Sequence, residues 1–528
     1  MSLHIASIWL GLTILYGIYR FYLYPSLFSP LRHIPKAQAD WRFRLYQWVY
    51  TEPSPIRLSQ WVKDTQYEGL VRYSGLGGTE RVLPLSSDAV KEVLVTKAYS
   101  CFERPRLSRE RLGALLGNGL LAIDDNQHRA HKRKLLPAFA FRHIRHLYPV
   151  FWTKACELVN GLEMAVTSST DIELRPWTSR AALDVIGVAA WGKDFGALAN
   201  PNSEVVSKYR SIQQGSPRAN RQGYLIHAAA LVIPMKMLTR LFPCEFFNNV
   251  AEGKKAIRGA CAQAIDLKRN TEKSEKAEEA GKKRNANISS RSDILGLALS
   301  IEEFDDEVLT GHMLNILAAG HETSSLAATW ACYLLCKHPE IQTRLRAEIR
   351  STLPSPSATI SETGTEVSAD ILENMPFLRA VSRESLRIIP SVPLVRREAS
   401  KDTTILDYVI PAGTSVIPMA WVLHRSTSEW GPDAAEFNPE RWLQPGQEAT
   451  GGAKSTFSDL SFSTGPRSCI GEGFAKGEAL ALLAAIVGKF ELELAPESDI
   501  ELERMNLFWG IAVKPISLKF RMRTLNGW

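Results

Sequence analysis

Phe462-Ser463-Thr464-Gly465-Pro466-Arg467-Ser468-Cys469-Ile470-Gly471 is the stretch on which the reading of this chain turns. It is a turn-prone loop, rich in Gly and Pro, that carries a single cysteine. From Gly473 to Phe490 the apolar residues recur with helical period, so the loop runs directly into a helix. Cys469 therefore lies at a helix N-terminus, where backbone N–H groups and the helix dipole stabilise a thiolate. A cysteine of purely structural use is the alternative that the loop alone leaves open.

A thiolate is a strong ligand for haem iron. The loop resembles the haem-binding segment FxxGxRxCxG of the cytochrome P450 superfamily at every fixed position: Phe462, Gly465, Arg467, Cys469 and Gly471. The resemblance implies that Cys469 is the axial ligand of a haem b iron, that Phe462 packs near the sulfur and that Arg467 pairs with a haem propionate. The chemistry agrees, because a thiolate ligand pushes electron density toward oxygen and favours O–O cleavage.

Upstream, Glu384-Ser385-Leu386-Arg387 places a carboxylate and a guanidinium on one helical face. Alone this is a common surface pair. Followed by Phe437-Asn438-Pro439-Glu440-Arg441-Trp442, it is similar to the family's ExxR and PERF-type segments, which implies a buried structural network of Glu384, Arg387 and Arg441. Ala319-Gly320-His321-Glu322-Thr323-Ser324 lies within the helical period from Glu302 to Lys337 and is similar to the family's AGxET oxygen-activation motif. A mid-helix Gly costs about 1 kcal/mol relative to Ala, which suggests a packing or functional need at Gly320. The resemblance implies that Gly320 leaves room above the iron, and that Thr323, by loosening the local helix ladder, delivers protons to bound O2 together with Glu322. His128 and Lys132 stand where the family usually carries WxxxR. Both can donate to a propionate, but Lys132 lacks the fork of an Arg. Arg397, beside Arg396, matches a further propionate-binding Arg.

From Leu3 to Tyr19 the chain has no Asp, Glu, Lys or Arg, and continuing to Leu23 gives about 20 residues, the length of a membrane span. No basic n-region and no small-residue cleavage site mark it as a cleaved signal. Arg20, Arg32 and Lys36 follow it, so the positive-inside rule puts the body in the cytoplasm. In that topology Asn287-Ile288-Ser289 stays unglycosylated. Residues 1–24 are thus expected as a single-pass anchor in the endoplasmic reticulum membrane, 25–40 as a stiff Pro-containing hinge and 41–528 as one catalytic domain. The expected fold is mainly α with small β-sheets, a single large cytochrome P450 fold behind an N-terminal transmembrane helix. A helix from Met375 to Ile388 and short hairpins in Val71 to Leu85 and Thr403 to Val416 complete it.

The composition is that of a globular protein, 45% hydrophobic and 23% charged, with net charge +7. Seven scattered cysteines argue against a disulfide framework, and Cys332 and Cys336, on one helical face, read as structural thiols. Asn126 to Cys156 holds no Asp or Glu but has Arg129, Lys132, Arg133, Lys134, Arg142, Arg145 and Lys154, which reads as one basic surface patch. The histidine pairs His128/His131 and His143/His146 fall within it and read as surface residues, since no acidic or Cys ligand neighbours them. No interleaved aromatics support nucleic acid there. Tyr224 to Met237 is too short to span a bilayer and reads as a buried or interfacial segment. Lys268 to Ser292 is too polar to bury a core and reads as a mobile loop. Gly117-Asn118-Gly119-Leu120-Leu121-Ala122 matches a dinucleotide fingerprint, but neither a preceding strand nor a later acidic residue supports it.

The resemblance implies a monooxygenase that inserts one atom of O2 into a hydrophobic small molecule. No flavin or nicotinamide motif is present, so electrons come from NADPH through NADPH-cytochrome P450 reductase, with cytochrome b5 as a further donor and the basic patch as a docking face. The segments around Arg397 and Arg441 look most like fungal members that tailor terpenoids, polyketides or alkaloids. A fatty acid hydroxylase and a non-catalytic haem-binding membrane protein are the alternatives. Family analogy places substrate contacts at Arg104 to Leu121, Tyr209 to Met237, Leu317 to Thr323, Val392 to Val395 and Leu507 to Gly510.

Overall fold

The computed structural model of the chain describes residues 2–37, 54–63, 69–75, 79–169, 171–214, 245–279, 293–301, 304–357, 366–498, 513–515 and 517–528. Its helices include α1 (Ser2–Ile18), α2 (Arg106–Leu116), α3 (Asp125–Leu135), α4 (Leu174–Trp191), α5 (Glu245–Glu279), α6 (Asp306–Lys337), α7 (Pro376–Ile388) and α8 (Glu472–Lys489). The strands are β1 (Leu70–Ser74), β2 (Glu80–Pro84), β3 (Phe102–Glu103), β4 (Asp171–Glu173), β5 (Arg397–Ala399), β6 (Thr403–Ile405), β7 (Tyr408–Ile410), β8 (Ser415–Val416), β9 (Phe490–Leu494) and β10 (Lys519–Thr524). The class is mainly helical with small sheets. The chain divides into two compact units, one of Met1–Arg106, Ala380–Cys469 and Asp499–Ser517, the other of Leu107–Arg379, Ile470–Ser498 and Leu518–Trp528.

The first unit carries a five-stranded sheet in the order β1-β2-β8-β5-β3. The β1–β2 hairpin is antiparallel with Leu70 opposite Pro84, whereas β2 and β8 are parallel. Val82, Val416, Phe102, Ala399 and Leu460 pack into one apolar cluster against this sheet. Its N-terminal part is hooked in as well. Arg72, 6% exposed, donates to the carbonyls of Pro25 (2.7 Å) and Ile34 (2.9 Å) and pairs with Glu80, which also accepts the Ser29 hydroxyl.

The expected membrane-crossing helix is not found: among the described residues no helix is long and apolar enough to cross a membrane. α1 has 17 residues, which at 1.5 Å each span about 26 Å against a hydrocarbon core of about 30 Å. The apolar run does continue, but in the wider turns of a π-helix, Tyr19–Phe28, with Pro25 inside.

In the second unit, α6 packs against α4 and α8 as a central helix. Asp305 caps it, its side chain accepting from the Val308 N–H at 2.8 Å, and Asp306 and Glu307 in the first turn favour the positive dipole end. A three-stranded sheet, β4-β10-β9, closes this unit. The mobile loop expected from Lys268 does not begin there, because α5 continues to Glu279. Lys, Glu and Arg are good helix formers, so low apolarity does not stop a surface helix, and ion pairs Lys268–Asp293 and Arg269–Asp306 tie it down. Residues 280–292, with Asn287, and the stretch Tyr224 to Met237 lie outside the described residues.

Candidate active site

The cysteine loop of the first unit is held by its own backbone. The Cys469 N–H donates to the Phe462 carbonyl at 2.9 Å and the Ser468 N–H to Gly465 at 3.0 Å. Gly465 has φ +76, and a Cβ there would collide with the Leu94 carbonyl, so only glycine fits. Arg467 is buried; its Nη1 donates to the carbonyls of Ala98 and Phe102 (2.9 Å), and its guanidinium lies 4.2 Å from the Tyr99 ring centroid. In this largely covered loop Cys469 is exposed, and Phe462 is half-buried. The second unit resumes at Ile470, with Gly471 as the N-cap of α8. A Cβ on Gly471 would meet nothing closer than Phe139 at 3.8 Å, so packing does not demand glycine there.

Behind the loop, still in the first unit, lies the network that the sequence places at Glu384, Arg387 and Arg441. Arg387 forks onto Glu384, Nε to Oε2 at 2.8 Å and Nη2 to Oε1 at 2.7 Å, with both side chains wholly buried. Arg441 Nε adds a bond to Glu384 Oε1 at 3.2 Å and its Nη2 one to Asp433 at 2.7 Å. Two members are absent from the sequence reading: the Trp442 indole N–H donates to Glu384 Oε2 at 2.9 Å and the Asn438 N–H to Oε1 at 2.9 Å. Their signal was an aromatic and a cap-forming residue flanking Pro439 to Arg441. Arg397, on β5, is 4% exposed, while Arg396 is only half-buried.

In the second unit α6 is buried from Leu309 to Leu335 except at Ile316, Ala318, Ala319, Gly320, Glu322 and Thr323. Ile316, Ala319, Gly320 and Thr323 recur at three and four residues, so one stripe of a core helix is uncovered. The Thr323 hydroxyl donates to the Ala319 carbonyl at 2.7 Å, the i−4 side-chain bond that competes with the backbone ladder, and α6 runs on to Lys337. A Cβ on Gly320 would meet Cδ1 of Ile186, on α4, at 2.7 Å, so a larger residue there needs that side chain to shift. His321 faces the interior, with Nδ1 3.0 Å from the Tyr209 hydroxyl and 3.1 Å from the Leu317 carbonyl. A small apolar cavity lined by Leu183, Trp191, Val206, Tyr209 and Leu317 adjoins this pair.

On α3, His128 and Lys132 share a buried face, 4% and 9% exposed. This corrects two surface readings. His128 is interior, and half-buried His131 is 3.0 Å from Nε2 of His312, whose pKa burial, reinforced by His131, lowers to about 3. Lys132 and Lys154 also leave the basic patch: Lys154 is buried and paired with Glu157 (2.8 Å) and Asp194 (2.5 Å). Arg129, Arg133 and Arg142 are exposed, and Arg145 pairs with Asp370 at 2.9 Å. Gly117 follows helix α2 and opens a turn, not a helix, which removes the dinucleotide fingerprint. Cys332 is buried, with its thiol pKa pushed well up by desolvation.

In the first unit the exposed Cys469 thiol and the buried guanidiniums of Arg467 and Arg397 form a donor set that fits an iron porphyrin, a thiolate for the metal and cations for carboxylates; in the second unit His128 and Lys132 are buried hydrogen-bond donors.

The comparisons agree. The profile of the Cytochrome P450 family matches residues 46–522. The chain is 35% identical over 498 residues to "Cytochrome P450 monooxygenase sphH" of Aspergillus fumigatus, covering 93% of this chain and 88% of that one. It is 34% identical to "Cytochrome P450 monooxygenase ALT8" of Alternaria alternata, covering 99% and 94%. The crystal structure of a cytochrome P450 (CYP102L1) superposes with a TM-score of 0.68 at 23% identity, over 89% of this chain and 98% of that one, a likeness of fold. The chain accordingly belongs to the cytochrome P450 family and is a haem-dependent monooxygenase supplied with electrons from NADPH through a reductase.

Proposed function

We propose that the chain oxidises a hydrophobic secondary-metabolite intermediate of terpenoid, polyketide or alkaloid type by hydroxylation or epoxidation, with Cys469 as the iron ligand. The observation that carries the reading is the exposed Cys469 thiol, in a loop fixed by Gly465 and Arg467, directly before the N-terminus of α8. Haem, when bound, supplies the activation of O2. The residues of the chain do the rest. In the first unit Arg467 and Arg397 would hold propionates, with Arg397 favoured over Arg396 by its burial, and in the second unit His128 and Lys132 are the buried donors that could do so. The small side chains of the α6 stripe leave substrate and O2 room, and its apolar composition excludes water from them. With haem bound, the Thr323 hydroxyl, which donates to the Ala319 carbonyl at 2.7 Å, would be the proton donor on this stripe, and the Glu322 carboxyl would return that proton to it through water. Glu384, Arg387 and Arg441 are structural.

The domain plan retains residues 41–528 as the catalytic body. α1 presents Ile8, Trp9, Leu12, Leu15 and Tyr16 outward, and this apolar surface with the run that follows supports attachment to the endoplasmic reticulum membrane, body on the cytoplasmic side. NADPH-cytochrome P450 reductase, with cytochrome b5 as a further donor, docks through exposed Arg129, Arg133 and Arg142. Turnover with reductase, NADPH and isotopically labelled O2 on polycyclic terpenoids, polyketides, alkaloids and long-chain acids tests the substrate class. One labelled oxygen in a secondary metabolite is expected, and label only in a fatty acid contradicts it. Thr323→Ala is expected to lower the product formed per NADPH about tenfold or more; unchanged coupling removes the relay.

A further inference from the structure

His424 is wholly buried in the first unit. Its Nδ1 is 2.9 Å from the Arg387 carbonyl, and its Nε2 accepts the Leu460 N–H at 2.8 Å. A carbonyl needs a donor and an N–H needs an acceptor, so one neutral tautomer, with the proton on Nδ1, satisfies both ends. The path continues by backbone bonds: the Leu460 carbonyl accepts from Ser463 at 3.0 Å and the Phe462 carbonyl from Cys469 at 2.9 Å. Ser463, between them, has φ +58, a backbone state that a non-glycine residue holds only where its surroundings impose it. Glu429 grips the segment that enters the loop, accepting the Ser458 hydroxyl at 2.6 Å.

We propose that His424 is a positioning residue for the axial thiolate: its imidazole bridges the Glu384–Arg387 helix to the entrance of the cysteine loop and thereby sets where Cys469 stands. Arg387 closes the circuit, since its Nη1 donates to the His424 carbonyl at 2.7 Å. The ring thus transmits the position of a rigid buried ion pair to a loop that has little regular structure of its own.

The proposal rests on Cys469 being the iron ligand, and the test separates the two. The reduced protein with carbon monoxide reports the share of haem in the long-wavelength thiolate band against the shorter-wavelength band of a neutral ligand. His424→Phe keeps the ring and removes both nitrogens; the ratio of the two bands is expected to fall about tenfold, the cost of leaving a buried N–H and a carbonyl unpaired. His424→Gln can still offer an oxygen to Leu460, whereas His424→Asn reaches only toward Arg387, so Gln is expected to keep more thiolate band than Asn. Equal bands in Gln and Asn, or a wild-type ratio in a folded His424→Phe, overturn the proposal. Loss of fold by circular dichroism in all three also overturns it, by making His424 a core residue only. Absence of the thiolate band in the wild-type protein instead removes the ligand assignment of Cys469.

Discussion

Glu384 accepts five hydrogen bonds, from Arg387 Nε and Nη2, Arg441 Nε, Asn438 N and Trp442 Nε1. Such a carboxylate stabilises less by its attraction than by what its removal leaves behind. Two interior guanidiniums would then lack their shared anion, and breaking a buried pair in this way costs about 3–5 kcal/mol. Glu384→Ala is therefore expected to lose roughly that much in denaturant unfolding and to purify with little haem; unfolding within 1 kcal/mol of wild type contradicts the central place given to this residue. Glu384 and Arg387 were legible because residues three apart on a helix share a face. Trp442 was not, because its partner lies 58 positions away and only the folded chain brings the indole to Oε2.

Between α6 and α8 lies an acid that sequence periodicity conceals. Glu478 is wholly buried on α8, and burial pushes its carboxyl up to about 8, with the Ser324 hydroxyl of α6 partly offsetting the shift. The folded chain keeps a proton that the unfolded chain releases above about 4.5. Stability is therefore full below that value and is lost as pH rises through about 8. Glu478→Gln is expected to flatten melting temperature against pH over this window and to exceed wild type by a few kcal/mol near the alkaline end. Parallel melting curves would mean that the acid finds a partner when ionised. At this scale the helices were legible where their period is strong, as in α6 and α8, while α5 was missed beyond Lys268. Its charged residues carry no apolar stripe to read, and its anchors at Asp293 and Asp306 are tertiary.

Across the whole molecule, α1 and the segment after it join the first unit through Arg72, whose bonds to Pro25 and Ile34 leave little slack at the junction. Apolar side chains on α1 face outward, so their burial must come from something else, and lipid is the proposed cover. Replacing Trp9, Leu12 and Leu15 together by Asp is expected to cut recovery with floated vesicles about tenfold or more, at the transfer cost of charge into hydrocarbon. Equal flotation contradicts attachment through α1. The chemistry of the site was read from short motifs because each is local along the chain. Burial of Lys132, Lys154 and His128, the Ile186 partner of Gly320 and the bridge at His424 were not, since each depends on residues far apart in sequence.

The central claim, a haem iron held by the thiolate of Cys469, is tested most directly by the absorbance of the reduced protein with and without carbon monoxide, in wild type and Cys469→Ser. The account predicts a long-wavelength shift of the main haem band in the wild type and its loss in the variant. A well-folded wild-type protein with the band of a neutral ligand, or a shift that survives Cys469→Ser, contradicts it.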